Sequence, residues 1–505
     1  MSNGLLPDYV RMAKPNPPAN RAPWYKNTAP TYAGIMLWFV FWHEVPLGSG
    51  LKGASAAAKF SEFAGGTLSQ GIMVALGGLI LAALLCHFLF YLVPGLLGMQ
   101  TGLPLYIVGT STYGAQGGFL MPGFLMGVLQ FGWLSVNAFF SAWLLCAPFG
   151  KGPGTLPHAV VVIIWAAAAA FMGLKGIQYV ARVATFLPVI PLAILVILAL
   201  STIGGLGGFD RNALMQAGQT VTVELTSAEI AAEAKATGVD VEHVEKTKSI
   251  AAKPPLEVFG VLALIATYVV GFFATAGAAG TDFGMNNRDK KDVQMGGLVG
   301  IAGATVLAGG LSLLIVAGAH GGAKAGGEPI VQTTALMSSI VGGRMAAVMW
   351  YLLAIAAFPP ACFSSFIAAN SFKTTLPKVN PFVSCGLGTF VACVLAVSGW
   401  AGNAVGVFKI IGASFGPICG AMMVDYLLSG KKWAGPRAGF NPAGWISWAV
   451  GFVVGAADFI PPLAGKVPCP PMAAFLVGAV LYFVLAKAGL QSRVLEMPAA
   501  DAAKG

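Results

Sequence analysis

Charge is what this sequence has least of. Only 10% of its 505 residues are Asp, Glu, Lys or Arg, where a soluble domain carries about 25%. A chain so poor in charge has no polar coat for a globular fold in water. The seven cysteines form no CxxC pair and no metal-ligand spacing; they read as small buried residues. The net charge of +10 is spread over short loops, with no basic stripe interleaved with aromatics, which gives nucleic-acid binding no support. There is no P-loop, no paired HxxxH and no Ser-His-Asp order, so enzyme chemistry has little support. The N-terminal residues are polar and Pro-rich, without a short apolar core and cleavage site. No signal peptide is expected, and the first apolar segment should stay in the mature chain.

Apolar length is what the sequence has instead. It is 57% hydrophobic, with a mean hydropathy of +0.78. Runs of ~18 or more apolar residues recur, each long enough to cross a ~30 Å hydrocarbon core. They are continuous and not alternating, which argues for helices over a closed β-barrel. The reading is an all-α polytopic membrane protein, embedded in lipid, with twelve spans at about 29–53, 68–94, 119–147, 157–174, 183–204, 256–279, 294–319, 345–370, 381–400, 404–429, 442–463 and 471–489. The loops holding most of the Lys and Arg lie on the side of both termini, which places the termini in the cytoplasm. The long loop 205–255, with its acidic, Ala-rich SAEIAAEAKATGVDVEHVEKTKS, is expected to be a short helical cap without chemistry.

Two segments look like broken helices. FWHEVPLGSG (41–50) has Pro46, Gly48 and Gly50; GFFATAGAAGTDFG has Gly271, Gly277 and Gly280. They fall in the first and sixth spans, matching positions of two five-helix halves, as in inverted-repeat transporters with a site at mid-membrane. Glu44 in the first is a charge within an apolar run, so it is expected to face a cavity or a partner. His43 beside it fits packing better than a role through its ring. In FGWLSVNAFF, Trp133 and Asn137 are four apart and share a helix face. An indole beside an amide suits a planar heterocycle, although packing plus an interhelical amide bond fits the spacing better. In PPACFSSFIAANSFK, Pro359 and Pro360 loosen the eighth span. Ala361, Ser364 and Ser365 offer uncharged oxygens for Na⁺, against the competing habit of Ser bonding back to the helix. Asn370 follows. Asp282 fits a solvated helix end better than a gate.

Taken in order, LWFVFWHE, GWLSVN, GLKGIQYVAR, GFFATAGAAGTDF, ACFSSFIAAN and GPICGAMMVDYLL resemble the nucleobase–cation symporter-1 family, which includes cytosine permease and hydantoin transporter relatives. The resemblance implies a leucine-transporter-like five-plus-five inverted repeat with two extra C-terminal helices. The implied divisions are a tail 1–28, repeats 29–204 and 256–429, the loop 205–255, extra spans within 430–489 and a tail 490–505. It implies a secondary active symporter in the plasma (inner) membrane, importing a nucleobase, cytosine or a purine, with sodium by alternating access. Trp133 and Phe273 would then stack on the two faces of the substrate, and Glu44, Asn137 and Asn370 would hydrogen-bond it. The carbonyls of Val40, His43 and Ala361 and the hydroxyls of Ser364 and Ser365 would hold sodium. HEVP would be the unwound centre of the first span. The family's hydantoin transporter has glutamine at the Glu44 position. A carboxylate there favours a ligand edge rich in N–H and leaves proton coupling open. The alternatives are a proton-coupled or sodium-coupled transporter of allantoin, a hydantoin or another small planar nitrogen heterocycle and, more distantly, a non-transporting sensor on the same fold.

Overall fold

In a computed structural model, residues 6–47, 60–184, 186–225, 227–376 and 378–497 are described. Gly48 and Gly50, read above as helix breakers, lie outside them. Nine helices among the described residues are long and apolar enough to cross a membrane: Ile72–Thr101, Phe119–Phe149, Leu156–Lys175, Val189–Gly208, Val258–Ala278, Lys290–Gly321, Gly343–Lys373, Ala404–Leu428 and Pro470–Lys487. Pro381–Val397 and Pro442–Gly455 are shorter apolar helices. A broken pair, Thr28–Met36 and Phe39–Glu44, precedes them all. In chain order these are spans one to twelve, the broken pair being span one.

The outer surface of the bundle is apolar, with Ile164, Phe171, Leu200, Leu387 and Phe390 all exposed. In lipid such a surface needs no cover, while every helix still satisfies its own backbone. Inside, small residues set the spacing. A Cβ at Gly271 in span six would come 2.6 Å from the Phe408 carbonyl in span ten. One at Gly98 would collide with the Thr281 carbonyl, and one at Gly284 with the Gly95 carbonyl. Glycine alone permits these backbones to touch. Spans two and seven hold counterpart places in the two five-span halves. Each has a π-helical turn, Cys86–Tyr91 and Leu298–Gly303, and the two turns face one another: a Cβ at Gly297 would meet the Tyr91 ring.

Both tails lie on one face. The Tyr9 hydroxyl donates to the Ala115 carbonyl, Ala115 N–H donates to the Arg437 carbonyl, and Arg437 bridges to Val494. The N-terminal segment runs across this tail face as a strap. Asn16 donates to Met285 and Asn286, Arg21 to the Met99 carbonyl, and Trp24 N–H to Asp292. The opposite face carries the loop expected as a helical cap. It contains helices Arg211–Ala217 and Ser227–Thr237, but also an antiparallel hairpin. Strand β1, Thr220–Glu224, pairs with β2, Thr247–Ala251. The alternation TVTVE was masked in sequence by the Ala-rich helix beside it. Lys253, just past β2, pairs with Glu62 and so ties this hairpin face to the segment after span one.

Candidate functional site

Span one breaks at Leu37–Trp38, where Trp38 takes an extended conformation (φ −59°, ψ 127°). The break is six residues before Glu44. His43 and Glu44 form the last helical turn, so HEVP is the end of a short helix and not an unwound centre. No Gly or Pro marks the true break. Span six holds it from both sides. The Tyr32 hydroxyl donates to the Ala276 carbonyl at 2.8 Å. The Tyr268 hydroxyl lies 2.9 Å from the Val40 carbonyl and 2.7 Å from that of Phe41. Span six itself is helical through Gly271 and Gly277 and breaks only at Ala279, before Gly280–Gly284. Gly271 serves close packing against Phe408, while Gly277 and Gly280 flank the break.

Aromatic rings converge on the break. Trp38 lies 6.0 Å from Trp133 of span three and stacks at 6.2 Å and 29° on Phe272 of span six. Trp133 meets Phe272 edge-on at 5.1 Å and Phe408 of span ten at 5.1 Å. Phe41 and Tyr268 close the group, with rings 5.9 Å apart. Trp133 Nε1 donates to Thr275 Oγ1 at 3.2 Å. Trp38 Nε1 is buried with no hydrogen-bond partner. A buried orphan donor is costly unless something accepts from it.

The other residues named from sequence are dispersed. Phe273, the next residue after Phe272, turns away and packs on Tyr32 at 5.7 Å; Phe272 is the span-six ring that reaches Trp133. Asn137 uses its amide between helices, donating to the Ala357 carbonyl of span eight at 2.9 Å and accepting from Trp165 of span four at 3.0 Å. Asn370 is on an exposed face of span eight. Its neighbour Ser371 is opposite Gly127 of span three, which is ~9 Å along the helix from Trp133 at 1.5 Å per residue. Of the five oxygens named for sodium, three face different ways. The Val40 carbonyl points at Tyr268 of span six. Ser364 bonds back to the Pro360 carbonyl at 3.2 Å. Ser365 sits against Gly173 of span four, with its hydroxyl buried and unpartnered.

Glu44 lies away from the rings, at the hairpin-face end of span one. Glu44 and His43 are 3% and 0% exposed. Glu44 Oε1 accepts from Gln332 Nε2 at 3.0 Å, and His43 Nδ1 is 2.9 Å from Thr334 Oγ1. Gln332 and Thr334 belong to the segment between spans seven and eight. Sequence reasoning missed them, along with Trp38, Phe272 and Thr275. Three consecutive polar residues, QTT, inside PIVQTTALM were the available signal. On the tail face, Asp282 is half-buried and accepts from the Leu105 N–H at 3.0 Å. It is not the solvated helix end expected. Burial pushes its carboxyl up to about 6, against the lowering effect of that N–H.

Residues 45–372 match the family model described as amino acid permease. No curated protein matches the chain by sequence. Among solved structures the chain is similar to Mhp1, described as a nucleobase-cation-symport-1 family transporter, in a closed conformation with bromovinylhydantoin bound. That match has a TM-score of 0.56 and 18% identity, over 96% of this chain and 97% of the other. It is also similar to Mhp1 in an inward facing conformation, with a TM-score of 0.58 and 16% identity, over 99% and 100% of the two chains. Likeness at such identity is a likeness of fold, and the fold is the five-plus-five repeat with two further spans.

Proposed function

The chain belongs to the amino acid permease family, which makes it a membrane transporter and not an enzyme, and on that premise we propose that it is a cation-coupled symporter of a small planar nitrogen heterocycle, with a nucleobase such as cytosine or a purine as substrate. The observation that carries this reading is the ring group at the break of span one. Trp133, Phe272 and Trp38 present flat apolar faces, and the Trp38 indole N–H waits among them for an acceptor. A planar ring with a carbonyl or a bare ring nitrogen satisfies both features. The six spaced motifs of the nucleobase–cation symporter-1 resemblance support the same class.

In mechanism, the substrate stacks against Trp133 and Phe272 and accepts from Trp38. Asn137 positions Trp133, one turn away, by pinning span three to spans four and eight. Asn370, on an exposed face of span eight, and Phe273, packed on Tyr32, lie outside this group. A sodium site between spans one and eight rests on the buried, unpartnered Ser365 hydroxyl; Ser364 and the Val40 carbonyl are engaged elsewhere, with Pro360 and Tyr268. Binding there would couple to substrate binding reciprocally, each raising the other's affinity by one factor. The tail face is taken as cytoplasmic, from its share of Lys and Arg.

The test is uptake of labelled cytosine into proteoliposomes, with and without an inward sodium gradient at fixed pH. Sodium-driven accumulation blocked by excess adenine or guanine supports the reading. Uptake that follows a pH gradient and ignores sodium keeps the substrate and moves the coupling to protons. A second reading, a hydantoin or allantoin substrate, is favoured by the ligand in the similar Mhp1 structure. It predicts that these compounds compete and nucleobases do not. Competition by an amino acid alone would overturn both.

A further inference from the structure

The polar cluster at the hairpin-face end of span one holds two unpartnered polar atoms beside a buried carboxylate. Glu44 brings a carboxylate, buried to 3% exposure. Its Oε1 is 3.0 Å from Gln332 Nε2 and 3.2 Å from His43 Nε2. Yet His43 Nε2 and Gln332 Oε1 are both buried with no hydrogen-bond partner, in side chains that are 0% and 3% exposed. His43 Nδ1 is engaged with Thr334. Close by, Ser312 of span seven bonds Thr333 and the Trp42 carbonyl. Phe140 and Trp143 of span three wall the imidazole at 5.0 and 6.1 Å. Among the described residues, His43 is the one basic side chain within ion-pair distance of Glu44.

We infer that this cluster is a binding site for a hard monovalent cation, separate from the one between spans one and eight. A carboxylate buried as deeply as Glu44 costs several kcal/mol unless a positive charge meets it. A free amide oxygen beside it is a second hard ligand, and hydroxyls of the Thr333–Thr334 segment supply further oxygens. One negative charge calls for one positive charge, so a divalent ion would leave an excess. Oxygen ligands select an alkali cation over a soft metal. The site joins span one, span seven and the segment between spans seven and eight, so a bound ion would hold the hairpin-face ends of these elements together. This inference does not depend on which substrate the transporter carries.

The experiment uses the purified full chain in detergent, without substrate. Sodium chloride replaces N-methylglucamine chloride at constant ionic strength and pH, and thermal unfolding and binding of ²²Na are followed. The wild type should be stabilised saturably by sodium. Glu44→Gln, which keeps the shape and removes the charge, should bind at this site at least ~10-fold more weakly, a loss of about 1.4 kcal/mol. Gln332→Ala, which leaves the carboxylate intact, should shift in the same direction and serves if the first variant does not fold. Ser365→Ala should retain the Glu44-dependent part of the response. The inference is overturned if both Glu44→Gln and Gln332→Ala titrate as the wild type does. It is equally overturned if the wild type is not stabilised by sodium. Neither result bears on cytosine uptake, so the failure of one reading is distinguishable from the failure of the other.

Discussion

At the scale of single residues, the ring group makes two separable predictions. Stacking a base on an aromatic side chain is worth about 1–3 kcal/mol. Trp133→Ala should therefore weaken apparent substrate affinity by ~5-fold to 150-fold in a competition assay. Trp38→Phe keeps the ring and removes only the N–H. A net hydrogen bond is worth about 0.5–1.5 kcal/mol, so the loss should be ~2-fold to 10-fold, and it should vanish for analogues that lack the accepting oxygen or nitrogen. An equal loss for all analogues would mean that Trp38 only packs. Asp282 gives a pH prediction. Its carboxyl is raised from 3.8 to about 6 in the fold, so the folded state holds the proton more tightly than the unfolded chain. The stability this lends is fully present below about pH 4 and is lost as pH rises through about 6. The thermal midpoint in detergent should fall across that window, and Asp282→Asn should flatten the fall. Residues of this kind were half legible. Trp133 and Glu44 stood out in the sequence, but Phe272 and Phe273 are adjacent, and only helix rotation separates their surroundings.

At the scale of elements, helix existence followed from apolar length, and the twelve expected spans each have a counterpart. Breaks followed only in part. Gly and Pro drew attention to 41–50 and 271–284; span six does break within the second, at Ala279, but span one breaks at Leu37–Trp38, outside the first. A break braced by Tyr268 of span six, and by Tyr32 reaching across to the Ala276 carbonyl, leaves no local mark, because its partners lie far along the chain. The glycines are instead contact points. Gly98→Val should prevent the close approach of span two to Thr281. Overpacking costs about 1–3 kcal/mol, occasionally more, and here the obstacle is backbone. Folded yield in a detergent size-exclusion profile should drop sharply, while Gly77→Val, with open space around it, should not. The hairpin and its helix are read as an accessory. Excising 226–245 while retaining both strands should leave uptake intact, and loss of uptake with a folded profile would favour the sensor alternative.

At the scale of the whole molecule, the tail face is closed by contacts that cross between halves. The N-terminal strap ties span two, the segment after span six and the start of span seven. Removing residues 7–21 should favour opening of this face, read as faster alkylation of a cysteine placed at Thr281 in a background free of native cysteines. The C-terminal spans are clamped by a buried pair: Arg437 donates to Asp425 at 3.1 Å and to the Ser111 carbonyl, while Tyr482 donates to Asp425 at 2.7 Å. Arg437→Ala leaves a buried carboxylate without its cation, which costs about 3–5 kcal/mol. The loss should appear as a lowered thermal midpoint.

Composition and apolar length determined that this chain spans a membrane many times, because only helices and closed barrels satisfy a backbone in lipid and its apolar runs are continuous, not alternating. The order and spacing of its motifs pointed to the five-plus-five repeat. The tertiary structure decided the rest: which of Phe272 and Phe273 meets Trp133, that Asn137 is bound between helices, that Glu44 faces Gln332 and not the rings, and where span one breaks. Each of these depends on how one helix is rotated and seated against another. In a chain where apolar residues line both the lipid face and the core, hydrophobic pattern does not record that rotation.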